Sequence, residues 1–323
     1  MEDILHYKFP NKPSIVYMGT PDFAVPALKS LIREGYDILT VVTQPDRPRG
    51  RGKKLSFSPV KEAALENNLT ILQPEDIREQ RFIDEIKALN PDLFVVAAFG
   101  QILDEALLSI PTCCPLNIHA SILPKYRGAA PIQSAILNND KVTGITIMKM
   151  SKGLDKGPAF MKEEVLINEN ETTGQLFDRL AELSGDVLVN FLKSSAGKEI
   201  EAVPQEDEFA SYASKVTKHT AEIDWDEDTV KIASLIKAMD PMPGATTTMN
   251  GKKIKLFSPV VCEGKEASGR PGMVVTGDAS KFLVETGNGI LEIKEIQLPG
   301  KKRISTADFL RGNKIEKNTI LGI

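Results

Sequence analysis

Apolar runs without alternation constrain the fold of this chain more than any other feature. Residues Asp92–Ala98 read D-L-F-V-V-A-A, and Ser14–Met18 and Ile38–Thr43 are also rich in apolar or β-branched residues. Strands of this kind suit a sheet that is buried on both faces. Segments with helical spacing lie between them, and strands that alternate with helices form parallel sheets. The sequence therefore predicts an α/β fold with a doubly wound, mostly parallel sheet.

The rest of the first half agrees with such a sheet. Leu116–Ile118 and Gly144–Met150 are further strand candidates, and the apolar spacing of Thr173–Lys193 predicts a long helix. Shorter helices are predicted at Asp22–Glu34, Pro59–Asn67 and Phe82–Leu89. In open α/β sheets, ligands bind beyond the carboxyl ends of the strands. The stretches that follow the strands are therefore where we expect the chemistry.

The pattern changes after residue 208. Short β-like runs separated by glycine-rich turns are typical of a small barrel or sandwich. The runs are Lys253–Leu256, Gly272–Val275, Phe282–Glu285 and Ile290–Glu295, and helices are predicted at Thr229–Met239 and Ser305–Leu310. We predict a first domain over 1–208, which ends in a polar linker at about 194–208, and a second, OB-like β-barrel domain over 209–323.

Motifs that the sequence lacks argue against several classes of enzyme. The first strand is followed by Gly19-Thr-Pro-Asp rather than by G-x-G-x-x-G, so the predicted Rossmann-like sheet has no dinucleotide fingerprint. The P-loop, the G-x-S-x-G elbow and H-E-x-x-H are missing as well. The three cysteines and three histidines share no ligand spacing, and we therefore expect no bound metal.

Charge and hydropathy bear on location and partners. No apolar run reaches ~18 residues and no secretory pattern opens the chain, so we expect a cytoplasmic protein without membrane contact. The net charge of −4 excludes a uniformly basic nucleic-acid binder. The charge is uneven, however, because residues 209–323 carry 17 Lys and Arg against 14 Asp and Glu.

One dense cluster of positive charge lies within the acidic first half. This basic segment, residues 47–54, contains five cations: Arg47, Arg49, Arg51, Lys53 and Lys54. Its glycines favour a flexible loop that becomes ordered on contact with phosphates. A charge run is more often a solvated loop, and the position of this one just after a predicted strand is what favours a function.

Three polar residues stand near the ends of two predicted strands. Asn117 and His119 are two residues apart, so on a strand they face the same side. An amide and an imidazole that converge on one point can bind an oxyanion and move a proton. Asp155 follows Gly144–Met150 in a glycine-flanked turn, where its carboxylate would orient the His119 ring. Taken singly, His119 is more often a structural residue and Asp155 a turn residue.

Taken together, these residues carry a family resemblance. Residues 117–132, N-I-H-A-S-I-L-P-K-Y-R-G-A-A-P-I, and Gly153-Leu-Asp155 resemble the signature of the folate-dependent formyltransferases. Four further stretches resemble the methionyl-tRNA formyltransferases within that family: Met18–Pro26, Thr43–Leu55, Ala221–Trp225 and Pro241–Gly244. Met242, where the family has Trp, and Lys156-Gly-Pro, where it has Thr-Gly-Asp, depart from the pattern.

The resemblance implies an activity and a set of residue roles. The family members in question transfer a formyl group from 10-formyltetrahydrofolate to the α-amino group of methionine on initiator Met-tRNA, without a metal. Asn117, His119 and Asp155 match the catalytic positions. The implied folate-binding residues are Phe99, Gly100, Gln101, Ile102, Leu103, Ser121, Leu123 and Pro124. The basic segment would contact the tRNA, with Arg47 as its principal reader, and we expect a monomer.

Two other functions remain open at this point. A folate-dependent formyltransferase that acts on a small amine, such as a nucleotide or amino-sugar, would share the three catalytic residues but would not need the basic segment. A non-catalytic RNA-binding protein built on the second domain would tolerate the replacement Asn117→Ala. Formylation of charged tRNA separates all three possibilities.

Overall fold

A computed structural model of the chain describes residues 5–49, 54–264, 267–275, 281–313, 315–316 and 319–322. The chain divides into two compact units. Unit 1 comprises Met1–Pro131, Thr143–Val165 and Phe177–Ala213, and unit 2 comprises Ile132–Val142, Leu166–Leu176 and Ser214–Ile323. The predicted domain boundary between residues 208 and 209 stays a prediction.

The regular elements of the described residues are numbered in chain order. The strands are β1 (Leu5–Lys8), β2 (Ser14–Gly19), β3 (Asp37–Val42), β4 (Arg47–Arg49), β5 (Lys54–Ser56), β6 (Ile71–Leu72), β7 (Leu93–Ala97), β8 (Cys114–His119), β9 (Arg127–Gly128), β10 (Val142–Lys149), β11 (Ala159–Leu166), β12 (Glu199–Ala202), β13 (Tyr212–Ala213), β14 (Ala245–Met249), β15 (Lys252–Val261), β16 (Phe282–Glu285), β17 (Ile290–Gln297) and β18 (Ile304–Ser305). The helices are α1 (Val25–Arg33), α2 (Pro59–Glu66), α3 (Gln80–Ala88), α4 (Glu105–Leu108), α5 (Pro131–Leu137), α6 (Thr173–Ser195), α7 (Thr229–Ala238) and α8 (Thr306–Gly312). Two short 3-10 turns lie at Asp22–Ala24 and Asp207–Phe209.

The central sheet has the strand order β11-β10-β8-β7-β2-β3-β6. The neighbours from β8 to β6 are parallel, whereas β10 is antiparallel to β8. The order reverses at β2, because β3 and β6 are added on one side of it and β7 and β8 on the other. Ligands bind at such a switch point in doubly wound sheets. The predicted α/β fold is confirmed.

Burial on both faces explains the unalternating apolar strands. Every residue of β7 is buried. Phe94 and Val96 belong to a hydrophobic cluster that also contains Phe82 and Ile86 of α3. Each such side chain contributes about 1.5–3 kcal/mol when it is fully buried. The alternation of apolar strands with amphipathic helices therefore fixes this layer of the fold.

Unit 2 contains an antiparallel sheet in the order β14-β15-β17-β16, and β18 pairs with β17. The expectation of a small antiparallel β-domain after residue 208 is confirmed. The predicted strand at Gly272–Val275 forms only in part: Met273 and Val274 form isolated bridges, and backbone hydrogen bonds join the run to β16. Its first residue, Gly272, has a φ of +82° and is not extended where the backbone approaches Leu321.

Part of the predicted linker has regular structure. α6 runs to Ser195, and β12 then pairs antiparallel with β1 near the N-terminus. The ring of Phe9, which follows β1, packs edge-on against Phe160 and Phe191 with centroid distances of 5.5 and 5.2 Å. Residues 199–202 are therefore a strand of unit 1 rather than an irregular connection.

Candidate active site

Asn117 and His119 lie on β8, next to β7 on one side of the switch point. Asn117 faces Val96 in the parallel register, and His119 is the last residue of the strand. The two side chains lie on the same side of the strand, as their spacing predicts. Their position near the carboxyl end of β8 is the edge at which the fold exposes its chemistry.

The structure brings Asp155 to both of them. Oδ1 of Asp155 accepts a hydrogen bond from Nδ2 of Asn117 at 3.3 Å, and Oδ2 lies 3.6 Å from Nδ1 of His119. The backbone amide of Gly128 donates to Oδ2 at 2.8 Å. The His119 and Asp155 side chains are 7% and 16% exposed. Because water is largely excluded, their electrostatic interaction is stronger than that of a surface pair. We call Asn117, His119 and Asp155 the trio.

The second ring nitrogen of His119 is also occupied. Nε2 lies 2.9 Å from the carbonyl oxygen of Tyr126, which can only accept a hydrogen bond. Nε2 therefore carries a proton in this arrangement, while Nδ1 faces the carboxylate of Asp155.

Asp155 reaches the trio by a path that the strand-end rule does not describe. β10 is antiparallel to β8, so its last residue, Lys149, pairs with Leu116 rather than with the end of β8. The following turn returns along β8 through two left-handed residues, Gly153 (φ +117°) and Asp155 (φ +50°). Asp tolerates this conformation better than most side chains do.

A cavity of about 470 Å³ lies at the switch point in unit 1. Its lining residues follow the carboxyl ends of β2, β3 and β7, or lie in the β4–β5 ladder and directly after it: Thr20, Pro21, Gln44, Pro45, Arg47, Ser56, Phe57, Ser58, Ala98, Phe99 and Gly100. Hydrogen bonds join these strand ends, because the Thr20 hydroxyl donates to the Phe99 carbonyl and accepts from the backbone amide of Gln44. The trio does not line this cavity and stands at the end of the neighbouring strand β8.

The predicted folate residues fall into three environments. Phe99 and Leu103 are buried in the hydrophobic cluster, whereas the Ile102 side chain is 86% exposed. Gly100 has a φ of +90°, and the Gln101 side chain accepts from the amide of Ile77. The loop members Ser121 and Leu123 are buried and Pro124 is half-buried. Exposed main chain and Ile102 are thus what this set offers a ligand.

The two ends of the basic segment form regular structure. β4 and β5 form an antiparallel ladder that pairs Arg47 with Ser56 and Arg49 with Lys54. The Arg47 side chain is exposed and borders the cavity, whereas only the backbone is described for Arg49 and Lys54. Arg51 and Lys53 lie outside the described residues.

Sequence reasoning missed the residues that hold the segments on either side of the β4–β5 ladder. Lys61 of α2 donates to Asp46 at 2.5 Å and to the Gln73 side chain at 2.7 Å, and its ammonium lies 4.1 Å from the Phe57 ring centroid. Hydrogen bonds from Gln73 and Lys61 hold the pKa of Asp46 below its ordinary value. No motif marks these residues, because their partners come from three different loops.

Neither a metal cluster nor a spanning helix is found in the described part of the chain. No group of three or more His, Cys, Asp or Glu is arranged there to hold a metal ion. None of the helices described is long and apolar enough to cross a membrane.

An amide, an imidazole and a carboxylate near the end of one strand can together stabilise an oxyanion and move a proton, which are the two tasks of acid–base-assisted group transfer. Residues 13–192 match the Formyl transferase family and residues 215–314 match its C-terminal domain, "Formyl transferase, C-terminal domain". The chain belongs to the formyl transferase family.

The chain is also similar to curated relatives whose name is more specific than that of the family. The chain is 46% identical to "Methionyl-tRNA formyltransferase" of Alkaliphilus oremlandii over 308 residues, which covers 95% of this chain and 99% of the relative. It is 41% identical to the protein of the same name from Lachnospira eligens over 312 residues, with the same coverage of each chain.

Solved structures share the fold. A sugar 3N-formyl transferase, WlaRD, superposes with a TM-score of 0.63 at 20% identity, over 90% of this chain and 98% of that chain. Methionyl-tRNA formyltransferase from Clostridium thermocellum superposes with a TM-score of 0.56 at 20% identity, over 78% and 95% of the two chains. At these identities the likeness concerns the fold alone.

Proposed function

We propose that this chain transfers the formyl group of 10-formyltetrahydrofolate to the α-amino group of methionine on initiator Met-tRNA, for translation initiation. The observation that carries the proposal is the placement of Asp155 between Asn117 and His119 in a member of the formyl transferase family. The proposal of a tRNA substrate is supported by the two relatives named "Methionyl-tRNA formyltransferase", which are 41% and 46% identical over 95% of this chain.

Asn117 stabilises the charge that develops during transfer. The neutral amine attacks the formyl carbon, and the carbonyl oxygen becomes an oxyanion. Nδ2 of Asn117 has two hydrogens, of which one is donated to Asp155 and the other is available to that oxygen. Nε2 of His119 is bound to Tyr126, so it reaches the oxyanion only when substrate replaces that partner. Catalytic hydrogen bonds commonly tighten only in the substrate complex.

Asp155 and His119 move the proton. The bond from the amine nitrogen to the formyl carbon forms, the bond from that carbon to the folate nitrogen breaks, and the amine proton ends on the departing nitrogen. Oδ2 of Asp155 faces Nδ1 of His119, so the pair can accept and return this proton without a net change in the enzyme.

The residues at the switch point fit both substrates. A cavity of about 470 Å³ is within the usual range of small-molecule sites. Phe99 and Gly100 border this cavity, and we place the folate against them, with Ile102 as an exposed apolar contact. Residues 121–124, which closely follow His119 in the sequence, are the other proposed folate contacts. Arg47 borders the same cavity, where its guanidinium can bind a tRNA phosphate.

The basic segment and the C-terminal domain supply the remaining tRNA contacts in this proposal. A local track of cations is consistent with a net charge of −4, because counterion release depends on the phosphates contacted and not on the whole chain. Arg47, Arg49, Arg51, Lys53 and Lys54 are the proposed contacts of the first domain. We further propose a cytoplasmic monomer with a domain boundary near residue 208 of the sequence.

The experiment compares acceptors at a fixed concentration of 10-formyltetrahydrofolate. The purified chain is given charged initiator tRNA, free methionine, or a nucleotide-linked amino-sugar, and release of tetrahydrofolate is followed. The proposal expects turnover with the charged tRNA and at most slow turnover with the two small amines. Turnover with a small amine and none with the tRNA would contradict the proposal and would indicate a formyltransferase that acts on small amines.

A further inference from the structure

The residues between the two family matches contact the trio. The matches end at residue 192 and resume at residue 215, so residues 193–214 belong to neither. Within them, residues 205–213 form what we call the connecting segment, all of which lies in unit 1. Its side chains and backbone form hydrogen bonds with the turn that carries Asp155 and with the loop at residues 126–128, which contacts His119 and Asp155.

Gln205 holds the Asp155 turn by its main chain. Its Nε2 donates to the carbonyl oxygen of Asp155 at 2.8 Å and to that of Gly157 at 2.6 Å. Both hydrogens of the amide are therefore used on one turn. Asp155 has a φ of +50°, a conformation that persists for a non-glycine residue when its surroundings enforce it.

A buried arginine fixes Gln205 in turn. Nε of Arg127 donates to Oε1 of Gln205 at 3.0 Å, which orients the amide so that its nitrogen faces the Asp155 turn. Arg127 is 1% exposed, and its Nη1 pairs with Asp207 at 2.7 Å. Burial of a charge is costly unless the charge is paired and hydrogen-bonded, and two residues of the connecting segment supply these partners to the arginine.

The same segment holds the loop behind His119. The Ser211 hydroxyl accepts from the amide of Tyr126 at 2.9 Å, and Tyr126 has a φ of +61°. The Tyr126 carbonyl is the partner of His119 Nε2. β13 pairs in parallel with β9, and an added Cβ at Gly128 would lie 2.7 Å from the Ala213 carbonyl. Gly128 is the residue whose amide binds Asp155.

We infer that Gln205 is a positioning residue for the reaction, acting on Asp155 through the main chain of its turn. Arg127 and Ser211 support the same geometry from their own sides. The inference rests on the proposed function, since it concerns the rate of formyl transfer. A shift of about 1 Å in a catalytic group can cost about 100-fold in rate. Loss of the Gln205 contacts therefore lowers kcat while leaving the surfaces that bind both substrates in place.

The test is a double-mutant cycle on formylation of charged initiator tRNA. Gln205→Ala and Gln205→Glu are prepared in the native chain, and Gln205→Ala also in an Asp155→Asn background. Glu206→Gln is the matched control, since Glu206 is exposed and adjacent. Single-turnover rates are measured at saturating enzyme, KM values are measured for both substrates, and thermal unfolding reports folding.

The expected result is a loss of about 10- to 100-fold in kcat for both Gln205 variants, with KM values within about twofold of the native ones. In the Asp155→Asn background, Gln205→Ala costs less than about twofold, because the two residues act as one unit. Full additivity, an effect on KM alone, or an unchanged kcat overturns the inference. If Gln205→Ala does not fold, the same outcomes are judged on Gln205→Glu in both backgrounds. Failure of the native chain to formylate the tRNA overturns the proposed function instead.

Discussion

Oδ2 of Asp155 lies 3.6 Å from Nδ1 of His119 and accepts the amide hydrogen of Gly128 at 2.8 Å. The carboxylate is therefore fixed from the glycine side while it faces the imidazole. A group held in this way loses little entropy when the substrates arrive, which is how preorganised sites lower barriers. In this position the carboxylate can exchange a proton with the imidazole, and the substitution Asp155→Asn tests that role.

Asp155→Asn keeps the size of the side chain but removes its charge and its capacity to take a proton. We expect kcat for tRNA formylation to fall by about 100- to 10,000-fold, the usual contribution of acid–base catalysis. Steady-state kinetics with charged initiator tRNA measure the loss. Asp84→Asn, at an exposed position on α3, is the control and should leave kcat unchanged. A native rate for Asp155→Asn would remove this carboxylate from the proton path.

Asn117→Ala removes the hydrogen-bond donor proposed for the oxyanion. Loss of one such donor costs about 100- to 1,000-fold in kcat. The KM values should change little, because the hydrogen bond is made in the transition state. The matched control is Asn138→Ala, at an exposed position that follows α5. A reaction rate equal to the native one would remove Asn117 from the oxyanion site, whereas a native chain that binds RNA but never formylates it would favour the non-catalytic alternative.

Arg47→Ala should weaken tRNA binding in a salt-dependent manner. Arg47 is exposed at the border of the cavity, and a lost phosphate contact lowers the slope of log K against log salt by about 1. Binding titrations at several salt concentrations give the slope for the native chain and the variant. Arg81→Ala, at an exposed position on α3, should keep the native slope. Equal slopes for Arg47→Ala and the native chain would exclude this contact.

Arg303→Gln should destabilise unit 2 at neutral pH. Arg303 binds Asp240 at 2.8 Å and Glu295 at 2.5 Å and stacks over the Phe257 ring at 4.0 Å. Removing one partner of a buried pair costs about 3–5 kcal/mol, and we expect about 2 kcal/mol because Arg303 is partly exposed. Urea denaturation at pH 7 measures the difference.

The pH dependence of that difference has a definite sign. Burial raises the pKa of Glu295, but hydrogen bonds from Ser258 and Arg303 outweigh it and hold the pKa below its ordinary value of 4.5. The stabilisation is thus present above pH 4.5 and is lost as the pH falls through the lowered pKa of the folded state. The effect of Arg303→Gln should shrink below pH 4.5; an equal effect at pH 7 and pH 3.5 would contradict the assignment.

The sequence predicts the fold wherever one local pattern determines one element. The apolar run of β7 and the helical spacing of α6 are examples, since burial alone sets their residue types. Gly272–Val275 forms a strand only in part, because its residues are compatible with a strand but the left-handed conformation of Gly272 is set by a neighbouring chain segment. Such tertiary constraints leave little trace in local composition.

The site divides in the same way. The spacing of two on a strand predicts that Asn117 and His119 share one side of it, whereas the choice of these two residues and of Asp155 as a site comes from the family resemblance. Gln205 is not predictable, because its partners are main-chain carbonyls 50 and 48 residues away and any polar stretch contains such an amide. The path of the Asp155 turn was equally hidden, since nothing local shows that β10 runs antiparallel to β8.

The most direct test of the account is transfer of a labelled formyl group from 10-formyltetrahydrofolate to charged initiator tRNA by the native chain and by His119→Ala. The account predicts labelled N-formylmethionine after deacylation of the tRNA with the native chain, and at least about a 100-fold lower rate with the variant. Label that never enters the methionine, or an equal rate for the two proteins, would contradict it.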